Sequence, residues 1–289
     1  MHSSEDSPAA NRIRLAAIGD LHVQTEVSTD LAADLIGTQA HADVLVLAGD
    51  LTDNGRLVEF EAVAEVLAAI TIPIIAVLGN HDRRCLRRSA LRRILEAANV
   101  RLLDGTATTV AVSAGADRVG TKADHGLPMP PRAIEVGFAG VGGYGGGFWP
   151  DEGPRVPAYR ATQAIALRAR REATRLDQAL RGLADAVDAR VVVLHYAPTV
   201  TTLGTEPPAK LWMLGNSGLA KVIDHYPVDL VIHGHAHLGN PEGRTPGGTA
   251  VRNVAAHVVG SPVVIDVSIP GLAVSSGPRE MAAERSIPR

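Results

Sequence analysis

Five short clusters of polar residues could carry chemistry in this sequence, and each follows directly after a run of apolar residues. They are D-L-H at 20–22, G-D-L-T-D at 49–53, G-N-H-D at 79–82, the single residue His195, and G-H-A-H at 234–237. Their side chains offer carboxylate oxygen, amide oxygen and imidazole nitrogen, and no thiolate. These donors suit borderline metals such as Mn, Fe and Zn, so the residue types predict a metal site.

The spacing within two of the clusters indicates paired ligands. In extended backbone, residues two apart point to the same side, which would pair Asp20 with His22 and His235 with His237. A glycine at four of the clusters, Gly19, Gly49, Gly79 and Gly234, indicates a sharp turn close to the site. Taken singly, an aspartate after a buried strand is as readily explained as a turn or a helix cap. The metal interpretation therefore depends on the whole series.

The elements that must position these clusters are predicted as alternating strands and helices. Strands are predicted at 13–18, 44–48, 72–78, 108–112, 134–141, 191–194, 228–232, 250–254 and 263–267. Helices are predicted at 30–40, 57–69, 86–98, 161–187 and 219–226. In α/β sheets, loops at the carboxyl ends of strands meet in one crevice. We therefore expect the five clusters to converge there.

This order of elements predicts an α/β fold class with four layers, α/β/β/α. Two mixed sheets should pack together, with helices on both outer faces. One domain is expected over 12–275, with flexible tails at 1–11 and 276–289. A polar, Pro-rich insertion at 113–132 is interpreted as a surface loop. The loop at 199–218 is interpreted either as an overhang that sets specificity or as an ordinary surface loop.

Composition narrows the class of partner. The 289 residues are 46% hydrophobic and only 3% aromatic, with a net charge of -3. This supports a substantial core and argues against a dedicated nucleic-acid binder, which usually carries a basic excess. The single cysteine, Cys85, excludes an internal disulfide and is expected to pack in the core. With no signal-like start and no membrane span, we expect a cytoplasmic protein; the sequence does not indicate its oligomeric state.

The five clusters, in this order, resemble the calcineurin-like metallophosphoesterase superfamily. The patterns D-x-H, G-D-x-x-D, G-N-H-D, a strand-end histidine and G-H-x-H are all present, over residues 13 to about 267. The segment G-D-L-T-D-N-G at 49–55 also resembles the bacterial phosphodiesterase branch, which includes cyclic-nucleotide and glycerophosphodiester hydrolases. The resemblance implies a phosphoesterase that acts on a small phosphodiester.

The resemblance also implies two neighbouring divalent or trivalent ions, of Mn, Fe or Zn. Two sets of three side chains are expected to hold one ion each, with one carboxylate bridging them: Asp20, His22 and His237; Asn80, His195 and His235; and Asp50. Such a pair of ions lowers the pKa of a shared water, so that hydroxide attacks phosphorus near neutral pH.

Further side chains are expected to assist this reaction. His81 and Asp82 are the predicted catalytic residues: His81 would stabilise developing charge or protonate the leaving oxygen, and Asp82 would orient its neighbours, as would Asp53. The candidate substrate contacts are Arg83, Phe148 and Trp149. Arg84 could also reach the substrate, whereas the other four arginines of the run, Arg87, Arg88, Arg92 and Arg93, are interpreted as a solvated helix face. His233 alternates out of phase with the G-H-A-H cluster and is interpreted as a packing residue.

Three alternative functions remain open from the sequence. A phosphomonoesterase would use the same site. A metal-stabilised binding module without turnover is disfavoured, because no expected ligand is missing. A nuclease is disfavoured by the acidic balance of charge.

Overall fold

The computed structural model describes residues 12–113, 133–148, 159–183 and 187–269. Its strands are β1 Arg12–Ile18, β2 Val44–Leu47, β3 Ile74–Val77, β4 Val100–Leu103, β5 Thr106–Ser113, β6 Ala133–Val141, β7 Ala189–Leu194, β8 Leu230–His233, β9 Glu242–Arg244, β10 Ala250–Asn253 and β11 Val263–Ser268. Its α-helices are α1 Thr29–Gly37, α2 Leu57–Leu67, α3 Arg88–Ala97, α4 Tyr159–Arg181, α5 Leu211–Leu214, α6 Ser217–Ile223 and α7 Ala256–Val259.

The strands form two mixed sheets. In the first sheet, ordered β11-β1-β2-β3-β4, the strands β1 to β4 are parallel and β11 pairs antiparallel with β1. In the second sheet, ordered β5-β6-β7-β8-β10-β9, the four central strands are parallel and both edge strands are antiparallel. The parallel centres bring the carboxyl ends of β1, β2 and β3 to one edge, and those of β7 and β8 to one edge of the other sheet.

The alternation of side chains along the strands explains the layers. In β1, Leu15 and Ala17 belong to a core between the two sheets, together with Phe138 and Val191 of the second sheet. Their neighbours on β1 point the other way, into a core shared with helices α1, α2 and α3. Helices α4 and α6 cover the outer face of the second sheet. The predicted four-layer fold with two mixed sheets is confirmed.

Several element boundaries differ from the prediction. Strand β4 was not predicted, because its four residues follow α3 too closely to show an alternating pattern. Strand β9 was also missed; its sequence, E-G-R, has no strand propensity, and it exists through pairing with β10. Helix α4 ends at Arg181 rather than at 187, because Gly182 follows and glycine disfavours helix continuation.

Some predictions fall on other parts of the chain. Strands β5 and β6 pair as expected across the insertion, but residues 114–132 lie outside the described residues. The same holds for both predicted tails and for the domain boundary at 275, which stays a prediction. Among the described helices, none is long and apolar enough to cross a membrane.

Candidate metal centre

The carboxyl ends of five strands deliver the polar clusters to one place. Asp20 and His22 follow β1, Asp50 follows β2, and Asn80 follows β3; His195 directly follows β7, and His235 and His237 follow β8. Ligand atoms of Asp20, Asp50, His195 and His235 all lie within 4.8 Å of one another, and those of Asp20, His22 and His237 form a second such group. Asn80 joins the first group, because its Oδ1 lies 3.0 Å from His195 Nε2. The seven side chains that the sequence singled out as ligands therefore meet.

Asp20 and Asp50 lie at the centre of this cluster and are almost fully buried. Asp20 Oδ1 is 2.9 Å from His237 Nε2, and Asp50 Oδ2 is 3.3 Å from His195 Nε2. Burial alone would raise the pKa of each carboxyl group, but neighbouring histidines outweigh it and hold both pKa values below the usual range. Both residues are therefore available as carboxylates to bind a cation.

The pKa values of two buried histidines in the cluster are shifted in opposite directions. Burial lowers the pKa of His195, but Asp50 and Asp20 outweigh it and raise the pKa to about 9. Oxygen atoms also face both of its ring nitrogens, since Nδ1 lies 2.9 Å from the Ala48 carbonyl. For His235, burial and the charge of His195 lower the pKa to about 3. His235 is therefore a neutral imidazole, the form that binds metals.

His22 provides a direct test of whether a metal fits this site. Both of its ring nitrogens are buried, yet neither makes a hydrogen bond. Nε2 points between two carboxylates, 4.0 Å from Asp20 Oδ1 and 4.0 Å from Asp50 Oδ2. Buried imidazole nitrogens without hydrogen-bond partners destabilise the fold. A cation between the ring and the two carboxylates would bind to both kinds of group. The donors present thus fit metal ions.

The backbone at the ligands is unusual, and it corrects one sequence argument. Asp20, His22, Asp50 and His235 have positive φ angles of 59°, 46°, 49° and 68°. Extended backbone was expected for both pairs, Asp20 with His22 and His235 with His237; instead Asp20, His22 and His235 lie in left-handed turns. Non-glycine residues reach this region at a cost of about 1–2 kcal/mol each, so surrounding contacts must hold them there.

Those contacts run from one ligand turn to the next. The amide of Asp20 donates to the Gly49 carbonyl at 2.8 Å, and the amide of His22 donates to the Asp50 carbonyl at 3.0 Å. Asp20 Oδ2 accepts from the amide of His235 at 2.8 Å. Glycine is required where the turns approach most closely, since a Cβ at Gly79 would overlap the carboxylate of Asp50. The ligand turns thus brace one another.

Asp82 is fully buried, and its contacts are with backbone rather than with the cavity. Its carboxylate accepts from the amides of Leu51, Thr52 and Gly79 at 3.1, 2.9 and 3.0 Å, and from the Thr52 hydroxyl at 2.8 Å. Burial, and then the nearby charge of Asp50, raise the pKa of this carboxyl group. Asp82 therefore joins the turn that carries Asp50 to the turn that carries Asn80.

His81 lies at the edge of the cluster. Its Nδ1 is 2.5 Å from the Asp53 carbonyl and 3.6 Å from Asp53 Oδ1. Its ring meets that of His22 edge to face, with centroids 4.6 Å apart. Asp53 thus positions the His81 ring beside that of His22. His233, interpreted as a packing residue, is buried and bonds Thr202 Oγ1 through Nε2 at 2.8 Å.

The candidate substrate contacts are placed differently from the expectation. Arg83 turns into the protein, where it pairs with Glu172 at 3.2 Å and contacts the Gly143 carbonyl at 3.3 Å. Phe148 is buried against Ala197 and Ala236, which adjoin the ligands, so it supports the site from behind. Neither side chain presents itself to a substrate in the described structure. Trp149 lies outside the described residues.

One residue beside the cluster was missed from the sequence. The ring of His257 stacks on His237 in parallel, with centroids 4.1 Å apart and planes 8° apart. It also lies 6.3 Å from the ring of His22. Its position soon after the strand run at 250–254 is the signal that could have found it.

Among protein families, one family model matches most of the chain. A family model described as calcineurin-like phosphoesterase matches residues 13–239. Among curated proteins, a probable cyclic nucleotide phosphodiesterase from Rhodococcus erythropolis is 36% identical over 84 residues. A glycerophosphodiester phosphodiesterase from Enterobacter lignolyticus is 31% identical over 65 residues. These matches cover 27% and 22% of this chain and only 28% and 23% of the relatives' own lengths.

Solved structures share the fold over most of their length. The phosphopantetheinyl hydrolase of Mycobacterium tuberculosis matches with a TM-score of 0.56 at 16% identity, covering 86% of this chain and 90% of its own. The protein TT1561 of Thermus thermophilus matches with a TM-score of 0.51 at 18% identity, covering 89% and 95%. At these identities the likeness concerns the fold alone.

Proposed function

Because the chain belongs to the calcineurin-like phosphoesterase family, we propose that it hydrolyses a small phosphodiester with the help of two bound metal ions. The observation that carries the proposal is the convergence of seven oxygen and nitrogen donors, among them a His22 ring whose buried nitrogens make no hydrogen bond. A cluster of this composition suits ions of Mn, Fe or Zn. In this proposal Asp20, His22 and His237 hold one ion.

Asn80, His195 and His235 hold the second ion, and Asp50 is shared between the two. The shared role of Asp50 is supported by its position, because Oδ2 lies 3.3 Å from His195 Nε2 and 4.0 Å from His22 Nε2. Asp20 also reaches both groups of donors. When bound, the ions would polarise phosphoryl oxygens and lower the pKa of water, which supplies the nucleophile.

The other side chains of the site serve position and proton transfer. His81 directs Nδ1 to the Asp53 carbonyl, so Nε2 is the ring nitrogen that would face the leaving oxygen. Asp82 keeps the turns of Asp50 and Asn80 in register through backbone amides. Removing Asp82 would shift two proposed ligands together.

Preference for a diester rests on two observations. Two matched relatives are named as phosphodiesterases, although the matches are short. The rim of the site also carries exposed apolar side chains: Met213 is 48% exposed, with its carbonyl 3.3 Å from His235 Nε2, and Leu238, which follows His237, is 57% exposed. Such a rim favours a phosphate with organic groups on both sides. A phosphomonoesterase is the second candidate, since the same donors serve either ester.

Steady-state rates with added Mn, on an aryl phosphodiester and on the matching aryl monoester, test the proposal. We expect turnover of both esters that is lost on chelation and restored by metal, with the larger kcat/KM for the diester. A larger value for the monoester would reverse the order of the candidates. Bound metal without turnover of either ester would instead indicate a binding module.

A further inference from the structure

Arg84 lies at the edge of the metal centre, beside His81. The side chain is exposed, yet its guanidinium group is held at two points. Nη1 donates to the Asp53 carbonyl at 3.1 Å, and Nη2 contacts His81 Nε2 at 3.3 Å. The ring of His81 in turn contacts His22 edge to face. Arg84 is therefore one side chain away from a proposed metal ligand.

The contact with His81 fixes which atom donates the hydrogen bond. Arginine has only donors, so His81 Nε2 must accept from Arg84. The ring proton of the neutral imidazole then lies on Nδ1, which donates to the Asp53 carbonyl at 2.5 Å. In this state the atom of His81 that faces the leaving oxygen carries no proton, and an arginine N–H occupies its lone pair.

Nearby arginines make contacts of a different kind. Arg83 is enclosed by Glu172, Asp104 and the Gly143 carbonyl. Arg88 donates to the carbonyls of Cys85 and Arg83, which fixes the start of α3. Arg84 forms no ion pair with any carboxylate in the described part of the chain, so its charge has no partner there beyond hydrogen-bond acceptors.

From this geometry we infer that Arg84 is a substrate-binding residue. When the ester binds, an N–H of Arg84 leaves His81 Nε2 and donates its hydrogen bond to a phosphoryl oxygen instead. The inference rests on the proposed function. A guanidinium group presents paired donors that match phosphate oxygens, and a charge-assisted bond to phosphate is stronger than one to a neutral imidazole. The exchange also frees Nε2 of His81 to face the leaving oxygen.

The test compares Arg84→Gln and Arg84→Lys with Arg93→Gln in the full chain with Mn. Arg93 is exposed on α3, so its replacement removes the same charge from an exposed position. We expect Arg84→Gln to lower kcat/KM for the aryl diester roughly 10- to 100-fold, as the loss of a charged hydrogen bond predicts. Arg84→Lys should recover part of the loss, and Arg93→Gln should stay within about twofold of the wild type.

Binding of inorganic phosphate, measured by titration calorimetry on the same Mn-loaded proteins, separates contact with substrate from support of His81. We expect Arg84→Gln to weaken phosphate binding also in a His81→Asn background, because the contact is with phosphate itself. Equal phosphate affinity in Arg84→Gln and Arg93→Gln would overturn the inference. Failure of the proposed function looks different: the wild type would turn over neither ester with any metal.

Discussion

The metal centre has two sides, which differ in whether their histidine nitrogens find hydrogen-bond partners within the protein. On the side of His195 the ring is fully buried, and oxygen atoms of Ala48 and Asn80 face its two nitrogens at 2.9 and 3.0 Å. On the side of His22 the side chain is 20% exposed and neither nitrogen is hydrogen bonded. His237 on that side is 35% exposed. The His195 ring thus has hydrogen-bond partners within the fold, whereas the ring nitrogens of His22 would gain a bonding partner only with a cation.

This difference indicates which part of the metal centre depends on a bound ion to become ordered. Buried polar groups without partners destabilise a fold, so His22 is an unfavourable feature of the metal-free protein. Both ring nitrogens of His195 have partners in the metal-free protein. We therefore expect the His22 side to bind its ion more weakly and to exchange it first.

Replacement of Asp50 is expected to have the largest effect, because it links the two sides. Asp50→Asn should lower the metal-dependent rate at least about 100-fold, since even residues that only support metal ligands commonly cost 10- to 100-fold. Both sides should lose metal, as measured by elemental analysis of the protein after gel filtration. Asp34→Asn, on the exposed face of α1, is the matched control and should leave rate and metal content unchanged. Loss of only one ion would separate the two sides and contradict a shared carboxylate.

The variants His195→Ala and His22→Ala test the difference between the two sides through their free energies of unfolding. In the presence of a chelator, His195→Ala should lower the free energy of unfolding by about 1–3 kcal/mol, because it leaves buried oxygen atoms without a partner. His22→Ala should lower it by no more than about 0.5 kcal/mol, because no hydrogen bond is lost. Urea denaturation measures both values.

Adding Mn to the same variants gives the complementary result. Bound metal stabilises the wild type, and this stabilisation should be smaller in both variants. Only His22→Ala should combine the smaller stabilisation with a normal free energy of unfolding in the absence of metal. If the two variants were equally destabilised in the chelator, the two sides would not differ as their contacts indicate.

His257 offers the smallest expected effect and tests the exposed side. His257→Ala removes a ring that stacks on His237, and should weaken metal binding on that side by roughly two- to tenfold, the value of an aromatic contact. His257→Phe keeps a ring in place and should restore most of the affinity. Mn titrations of the three proteins measure the change. Equal loss in both variants would show that an imidazole nitrogen, not stacking, matters.

The sequence predicted the fold class and the meeting of the ligands for a simple physical reason. Buried strands require continuous apolar runs, so the polar residues that end them stand out, and parallel strands bring those ends together. Asp20, Asp50 and His195 could therefore be named before any coordinates were known. The conformation of the D-L-H turn could not be predicted, because contacts with Gly49 and Asp50 hold it in the left-handed region.

Features that depend on long-range contacts were predicted less well. Arg83 and Arg84 are adjacent and identical in type, yet Arg83 turns inward, where Glu172 on α4 and Asp104 pair with it. His257 escaped notice, because it belongs to none of the five clusters and acts through a single ring contact. Metal identity, the cytoplasmic location and the single domain at 12–275 stay predictions.

The mutual bracing of the ligand turns limits what can be engineered. Each turn takes its shape from backbone and side-chain acceptors on another, as when Asp20 binds the amide of His235 and Asp50 Oδ1 binds the amide of His81. A single turn moved into an unrelated scaffold would leave those acceptors behind and relax to an ordinary backbone conformation. Designers who want this metal centre elsewhere must transplant the facing sheet edges as one block.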